Sequence, residues 1–437
     1  LGKVVKNTLV GDLIKNYGVG TYGTSYTVPA AAQMFYGGAT TVYTYRLGTG
    51  GTKASITLTQ TVESGTAPTL VVTAKYEGTM PLSIMIQNKV SDATKKEFMV
   101  YVGTSLAEKF DFTADATAEG TNLIAAIAGS DYVTAAAGVG TMTTVPLTAL
   151  AAGALTGGTD PTIANSDYSA AFNAMESFYY NTIALDVNDD ANMTLSLLLQ
   201  AYLDNAYTMG KFAIAVVGEP TTVSFETRMT HAYTFNDGKV VYLGGGYKAG
   251  TENRDGALAI CYTAGLIAST PSNQGITHMV IPEATELMEN LTYAQYEQAV
   301  DNGALMLSMA PDGSIWYDTG ITTLNRPNYE IEDDGWKKIR RVKVRFELFE
   351  RMDRILAPKV GRITNDTDGV ADVIQSGQRL LDAMSNLENK LLPGATIYED
   401  PQNPHQGDSA WFIIQADDLD SLEKIYLHYE FRYSQLA

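Results

Sequence analysis

The chain has 437 residues, 45% of them hydrophobic and 18% charged, with a formal net charge of −19. Such a composition is globular rather than disordered, and the length exceeds what one core organises, so two to four domains are expected. The acidic balance argues against nucleic acid as a general partner, and a single cysteine, Cys261, excludes an internal disulfide framework.

Leu1-Gly2-Lys3-Val4-Val5 holds neither a methionine nor an apolar core of signal length. The expectation is therefore no secretory signal here, and a native N-terminus lying upstream. Residues 1–48 mix short helical and strand-like pieces, with Thr40–Tyr45 the clearest strand. Gly48-Thr49-Gly50-Gly51-Thr52 then opens a segment rich in Thr, Val, Ala and Gly. Alternation predicts strands at Ser55–Thr61, Thr69–Lys75, Ser83–Gln87 and Glu97–Val102, with one short helix near Thr121–Ala128. Residues 50–158 read as a β-rich insertion, and Ala151–Gly158 as its exit linker.

From Asp160 onward helices alternate with short buried strands. Helices are predicted at Tyr168–Tyr180, Met193–Met209, Ala257–Ala268 and Tyr293–Asn302. Strands are predicted at Thr182–Leu185, Phe212–Val217 and Val240–Leu243, with a hairpin joining Leu305–Ala310 to Ser314–Tyr317. That texture fits a sheet with crossover helices. Cys261 lies inside the apolar run 257–268, which predicts a buried structural thiol and synthesis in a reducing cytoplasm. The same run is too short to span a bilayer, so no membrane insertion is expected.

The last hundred residues follow a different plan. Residues 340–348 alternate strictly, Arg340, Val342, Val344, Phe346 and Leu348 against Arg341, Lys343, Arg345 and Glu347, which predicts a half-buried basic strand. Asp368–Leu391 carries apolar residues at three- and four-residue steps, a long amphipathic helix. Ile425, Leu427, Tyr429, Phe431 and Tyr433 alternate with polar neighbours and predict a terminal strand, paired by the chain's own sheet or by another subunit's. The fold class expected is α+β and multidomain: an α/β core from 1–49 and 159–335, the β-rich insertion 50–158, and a C-terminal α+β domain 336–437 ending in a strand.

Motifs for chemistry dissolve on inspection. Gly18-Val19-Gly20-Thr21-Tyr22-Gly23 has dinucleotide-binding spacing, but neither a strand before it nor a helix opening on it is legible. Asp186-Val187-Asn188-Asp189-Asp190 resembles a calcium loop without the Gly and Glu it requires, since Ala191 and Leu197 stand there. His231, His278, His405 and His428 share no metal-ligand spacing, and there is no nucleophile elbow. No catalytic, cofactor or metal site is expected.

The informative charge feature is local. Lys337, Lys338, Arg340, Arg341, Lys343, Arg345, Arg351, Arg354, Lys359 and Arg362 place ten of the 30 basic residues between positions 337 and 362. A solvated strand face is one reading. In so acidic a protein, a contact with an acidic surface of a partner or an identical subunit is the other.

Seven pieces then follow one another in a familiar order: Thr41–Leu47 with Lys53-Ala54-Ser55; Ala74–Thr79; Leu155–Asp160; Ala264–Pro271; Gly303-Ala304-Leu305 with Gly320–Leu324; Asn365–Gly369; and Leu419–Tyr426. Together they resemble the contractile tail sheath proteins of bacteriophages and phage-derived particles, in the form found in Gram-positive hosts and their prophages. Thr322 and Val370 depart from the asparagine and arginine usual there. The resemblance implies a non-enzymatic, cofactor-free subunit of a virion tail, made in the bacterial cytoplasm. Such subunits stack as rings around an inner tube, exchange terminal strands with neighbours, and contract without nucleotide hydrolysis to drive the tube through a cell envelope. The implied partners are further copies of the chain, the inner tail tube protein, and baseplate and tail terminator proteins. Implied contact residues are Lys337, Lys338, Arg341, Lys343, Arg345, Arg351 and Arg354, with Ile425, Leu427, Tyr429, Phe431 and Tyr433. A β-rich surface-binding or S-layer-like protein, sharing the acidic, cysteine-poor composition, is the alternative.

Overall fold

The computed structural model describes residues 2–17, 27–62, 65–115, 118–138, 146–188, 190–329, 332–423, 425 and 427–429. The Gly18–Gly23 motif, Asp189, Phe431 and Tyr433 lie outside them. The chain gathers into two compact units, Leu1–Val28 with Thr41–Met175 and Pro29–Thr40 with Glu176–Ala437.

In the first unit, alternation does what the sequence predicts. Leu82, Ile84 and Ile86 point inward from the strand Leu82–Asn88, which pairs antiparallel with Lys95–Val102. Ser105–Thr113 and Leu150–Ala154 complete a four-stranded sheet. The last of these occupies half of the stretch expected to be a linker. Its Gly153 side packs closely on Ile56 and Leu150, so small residues there serve sheet contact rather than flexibility. A three-stranded sheet of Ser55–Val62, Gly65–Ala74 and Val133–Ala137 shares one apolar core with it through Leu58, Leu70, Val72, Phe98 and Val100. The helix Glu119–Ala126 adds Leu123 to that core. It also adds Glu119, whose carboxylate meets the buried Lys96 ammonium at 2.9 Å. Lys96 donates in addition to the Leu147 carbonyl, so the pair is hydrogen-bonded as burial requires.

The second unit is built on four parallel strands, Thr182–Ala184, Ile214–Gly218, Val240–Leu243 and Ala304–Leu305, in that spatial order. The two central strands are buried throughout. The helix Ala257–Ser269 is sunk in the core, Cys261 included, and burial pushes the Cys261 thiol well above its ordinary range. Its small residues are functional in packing. A Cβ on Gly265 would lie 2.1 Å from the Met34 carbonyl, and one on Gly37 would lie 2.2 Å from the Tyr262 carbonyl, so the two backbones touch there. The expected hairpin forms between Leu307–Met309 and Ile315–Tyr317, while Ala304–Leu305 joins the parallel sheet instead.

One expectation is overturned. Residues 340–348 are not a strand but part of an 18-residue helix, Ile339–Leu356. The alternation is real, and its cause is a helix buried on two opposite sides. Ile339, Val342 and Phe346 enter the core of the α/β sheet, while Val344, Leu348 and Met352 enter a second core against the helix Thr367–Asn386. Each stripe steps by three or four residues. Offset by two residues, about 200° of helical turn, they fall on opposite faces and interleave as a false period of two.

The helix Thr367–Asn386 is capped by Asp366, which accepts a hydrogen bond from the Gly369 amide at 2.9 Å. It stops short of the predicted Leu391, which instead pairs with Asp418 in an isolated bridge. Gly377 admits Ile397, from a two-stranded hairpin of Thr396–Glu399 and Phe412–Gln415, against the helix. The predicted terminal strand is absent from the described residues. Ile425, Leu427 and Tyr429 pair with no described strand and are 70%, 67% and 69% exposed.

Candidate assembly interface

The basic residues lie along the helix Ile339–Leu356 and its approaches, and the structure supplies most of them with acids from this same chain. Arg341 reaches Asp418 with two contacts, Nε to Oδ2 at 2.5 Å and Nη2 to Oδ1 at 3.0 Å. Arg345 donates to the same carboxylate at 2.8 Å and to Asp333, also at 2.8 Å, while its guanidinium lies over the Trp336 ring. Burial alone would raise the Asp418 carboxyl. The Arg341 and Arg345 hydrogen bonds outweigh it and hold Asp418 below the usual carboxylate range.

A second group sits one turn on. Arg351 grips Glu388 bidentately at 2.7 and 2.9 Å, and Lys390 bridges Glu388 and Glu347 at 2.8 and 2.6 Å. The Arg351 hydrogen bonds lead in bringing the Glu388 carboxyl down to about 2. Lys343 meets no carboxylate directly. It donates to the Ile267 carbonyl at 2.5 Å and to that of Thr270, capping the end of the buried helix. Desolvation brings its ammonium down to about 8, with Glu347 offsetting part of the loss.

Lys337 pairs with the exposed Asp334 at 2.9 Å, and Lys338 pairs with Glu423. Arg354 is exposed. The cluster is thus graded, from a buried double-arginine contact at Asp418 to open charge at Lys337 and Arg354. Sequence reasoning missed the acids because Asp418 stands 77 positions from Arg341 and Glu423 stands 85 from Lys338.

The C-terminal apolar residues leave from the same place. The Leu392 amide donates to the Asp417 carbonyl at 2.7 Å, and the Leu419 amide to the Lys390 carbonyl at 2.9 Å. Beyond them Glu423 accepts from Thr277 Oγ1 at 3.1 Å. A cleft of about 550 Å³ opens between Gly275–His278 and Ser421–Ile425. The His278 ring stacks on Trp316 at 4.0 Å beside it. No group of three or more His, Cys, Asp or Glu among the described residues is placed to hold a metal ion. No described helix is long and apolar enough to cross a membrane.

Residues 162–319 match the family described as the phage tail sheath protein central domain. The match covers the part of the chain that holds the parallel sheet. Similarity of fold extends well beyond those residues. The sheath tail protein of Desulfitobacterium hafniense superposes with a TM-score of 0.70 at 21% identity, over 96% of this chain and 93% of the other. The sheath tail protein of Listeria innocua gives 0.66 at 18% identity, over 96% and 92%. A curated relative, the uncharacterized protein YqbK of Bacillus subtilis (strain 168), is 27% identical over 306 residues. That alignment covers 65% of this chain and 58% of the relative's length.

Proposed function

We propose that the chain is a structural subunit of a contractile tail sheath, stacking as rings around an inner tube on a phage or phage-derived tail. The sheath domain at residues 162–319 carries this reading. The fold shared with two proteins named sheath tail proteins supports it by analogy. Residues 336–437 act as the assembly domain. Ile425, Leu427, Tyr429, Phe431 and Tyr433 form the strand that a neighbouring subunit accepts. Exposed apolar side chains in alternation favour such a transfer, because pairing in a neighbour's sheet removes them from water and satisfies their backbone groups. The least buried cations, Arg354 and Lys337 foremost, face partners such as the inner tube protein, while baseplate and terminator proteins close the ends of the stack. Contraction draws on more favourable subunit contacts and uses no cofactor.

Negative-stain electron microscopy of the full-length protein at rising concentration tests the proposal. Tubes or stacked rings of wide bore are the expected result. Dispersed monomers that the tube protein does not recruit, or flat two-dimensional lattices, overturn it, and lattices favour the surface-layer alternative. Ending the chain at Ser421 is expected to keep the α/β core folded and abolish tubes.

A further inference from the structure

The segment between Asp418 and Ile425 is held at two points of unequal strength. At Asp418 the carboxylate is 5% exposed, receives two guanidinium groups, and is flanked by the backbone hydrogen bonds that join Asp417 and Leu419 to Leu392 and Lys390. At Glu423 the only described partners are the side chains of Lys338 and Thr277, and the contact borders the open cleft rather than a packed core. Between the two points Leu422 is 81% exposed, and Gly275 faces Ser421 with no bulk of its own. Arg340 is buried close by, with Asp420, Asp418 and Glu423 all acting on its guanidinium. One Arg340 nitrogen, Nη1, has no hydrogen-bond partner among the described residues.

From this asymmetry we infer that Asp418 is a permanent anchor and Glu423 a releasable latch, so that the C-terminal arm has two reaches. This rests on the strand-exchange reading proposed above and adds a mechanism to it. With the latch closed, the segment is held as far as Glu423. With it open, residues 420–423 join the arm, and four residues of extended chain lengthen it by up to about 14 Å. Neighbouring subunits that shift against each other need such slack if an exchanged strand is to stay paired while its donor moves. The core of the donor is undisturbed, because the segment released carries no described backbone hydrogen bond beyond Leu419. Opening exchanges one ion pair and the Thr277 hydrogen bond for solvation at the edge of the cleft, a difference that a neighbour's pull can supply.

Spin labels at Leu422→Cys and Glu297→Cys, both on the second unit, read the latch in the full chain, since the native Cys261 is buried and unreactive to the label. The labelled protein with Glu423 intact should show one narrow distance. Adding Glu423→Ala, or Lys338→Met, should broaden and displace that distance and raise the rate of tryptic cleavage after Lys424 about tenfold. The double change should add nothing further. Asp418→Asn should instead also expose the hairpin Thr396–Glu399 to protease. A distance left unchanged by Glu423→Ala overturns the latch, and so does a cleavage pattern the same for the Glu423 and Asp418 variants. These readings use dispersed protein, so a failure to form tubes would count against strand exchange and leave the latch standing.

Discussion

Two stretches of this chain carry the same alternation and fold oppositely. Leu82–Asn88 is a strand with its apolar side chains on one face. Arg340–Leu348 lies in a helix with its apolar side chains on two. The residues between the apolar ones separate the cases. In the strand they are Ser83, Met85 and Gln87, which face a half-exposed side of a sheet. In the helix they are long charged chains, and these too form stripes: Arg341 and Arg345 share Asp418, while Glu347 and Arg351 share the group around Lys390 and Glu388. A period of two is thus evidence for a strand only when one side of it can be left to solvent. Where both sides find a core, it is equally the signature of a helix wedged between two layers.

The comparison is broken most strongly by deleting a ring from each stretch's core. Phe98, fully buried beside the strand, and Phe346, 6% exposed on the helix, should each cost about 4 kcal/mol on replacement by Ala. In urea unfolding followed by hydrogen exchange, Phe98→Ala should release the amides of Leu82–Val102 first. Phe346→Ala should release those of Ile214–Leu243. A loss confined to residues 339–356 for Phe346→Ala would contradict the two-sided helix.

Asp418→Ala sharpens the same point from the charged side. It leaves the Arg341 guanidinium facing no carboxylate and Arg345 with Asp333 alone, and the expected loss is about 3 kcal/mol. Because the site is screened from solvent, that loss should persist in high salt. Had the strip been a solvated strand face, neither the size nor the salt independence would follow.

How much of this was legible in the sequence depends on where the partner of each residue lies. Four strands of the β-rich segment were placed by their alternation within a few residues, whereas Ser105–Thr113 and Val133–Ala137 went unread and Leu150–Ala154 was expected to be a linker. The helix Ala257–Ser269 was legible because it is apolar all round. The basic cluster was legible as a cluster, but two of its acids, Asp418 and Glu423, come from beyond the hairpin, outside any local pattern. The helix Phe225–Phe235 went unread, since Arg228 stands on its buried side. Only the tertiary fold places the Val223 and Gly244 carbonyls and Glu289 where they can receive that guanidinium. The arm at Ile425, Leu427 and Tyr429 was legible as alternation, and an isolated chain gives it nothing described to pair with.

Acid and alkali should act on the two charged stripes in opposite senses. Glu388 is lowered from 4.5 to about 2, so its contribution is complete above about 4.5 and fades as pH falls toward 2. The stability gap between the native chain and Glu388→Gln should close over that window. Lys343 is lowered from 10.5 to about 8, so the unfolded chain binds more protons than the folded one between those values. Its effect on stability therefore rises with pH from about 8 to 10.5, and Lys343→Met should flatten that rise in urea titrations across the range. A parallel pH profile for native and Lys343→Met proteins would place the ammonium in solvent.

The smallest effect belongs to Lys337. Its partner, Asp334, is 66% exposed, and the two are three residues apart on a single turn. Coulomb attraction there is screened, and holding two long side chains in register costs entropy, so Lys337→Ala should leave the urea midpoint where it is. A residue with no part in folding is free to serve in assembly. If the proposed sheath forms, Lys337→Ala together with Arg354→Ala should raise the protein concentration at which tubes appear, with the monomer's unfolding curve unchanged. Asp418→Ala should shift both. A double variant that unfolds early, or that assembles as readily as the native chain, would take these two cations out of the interface.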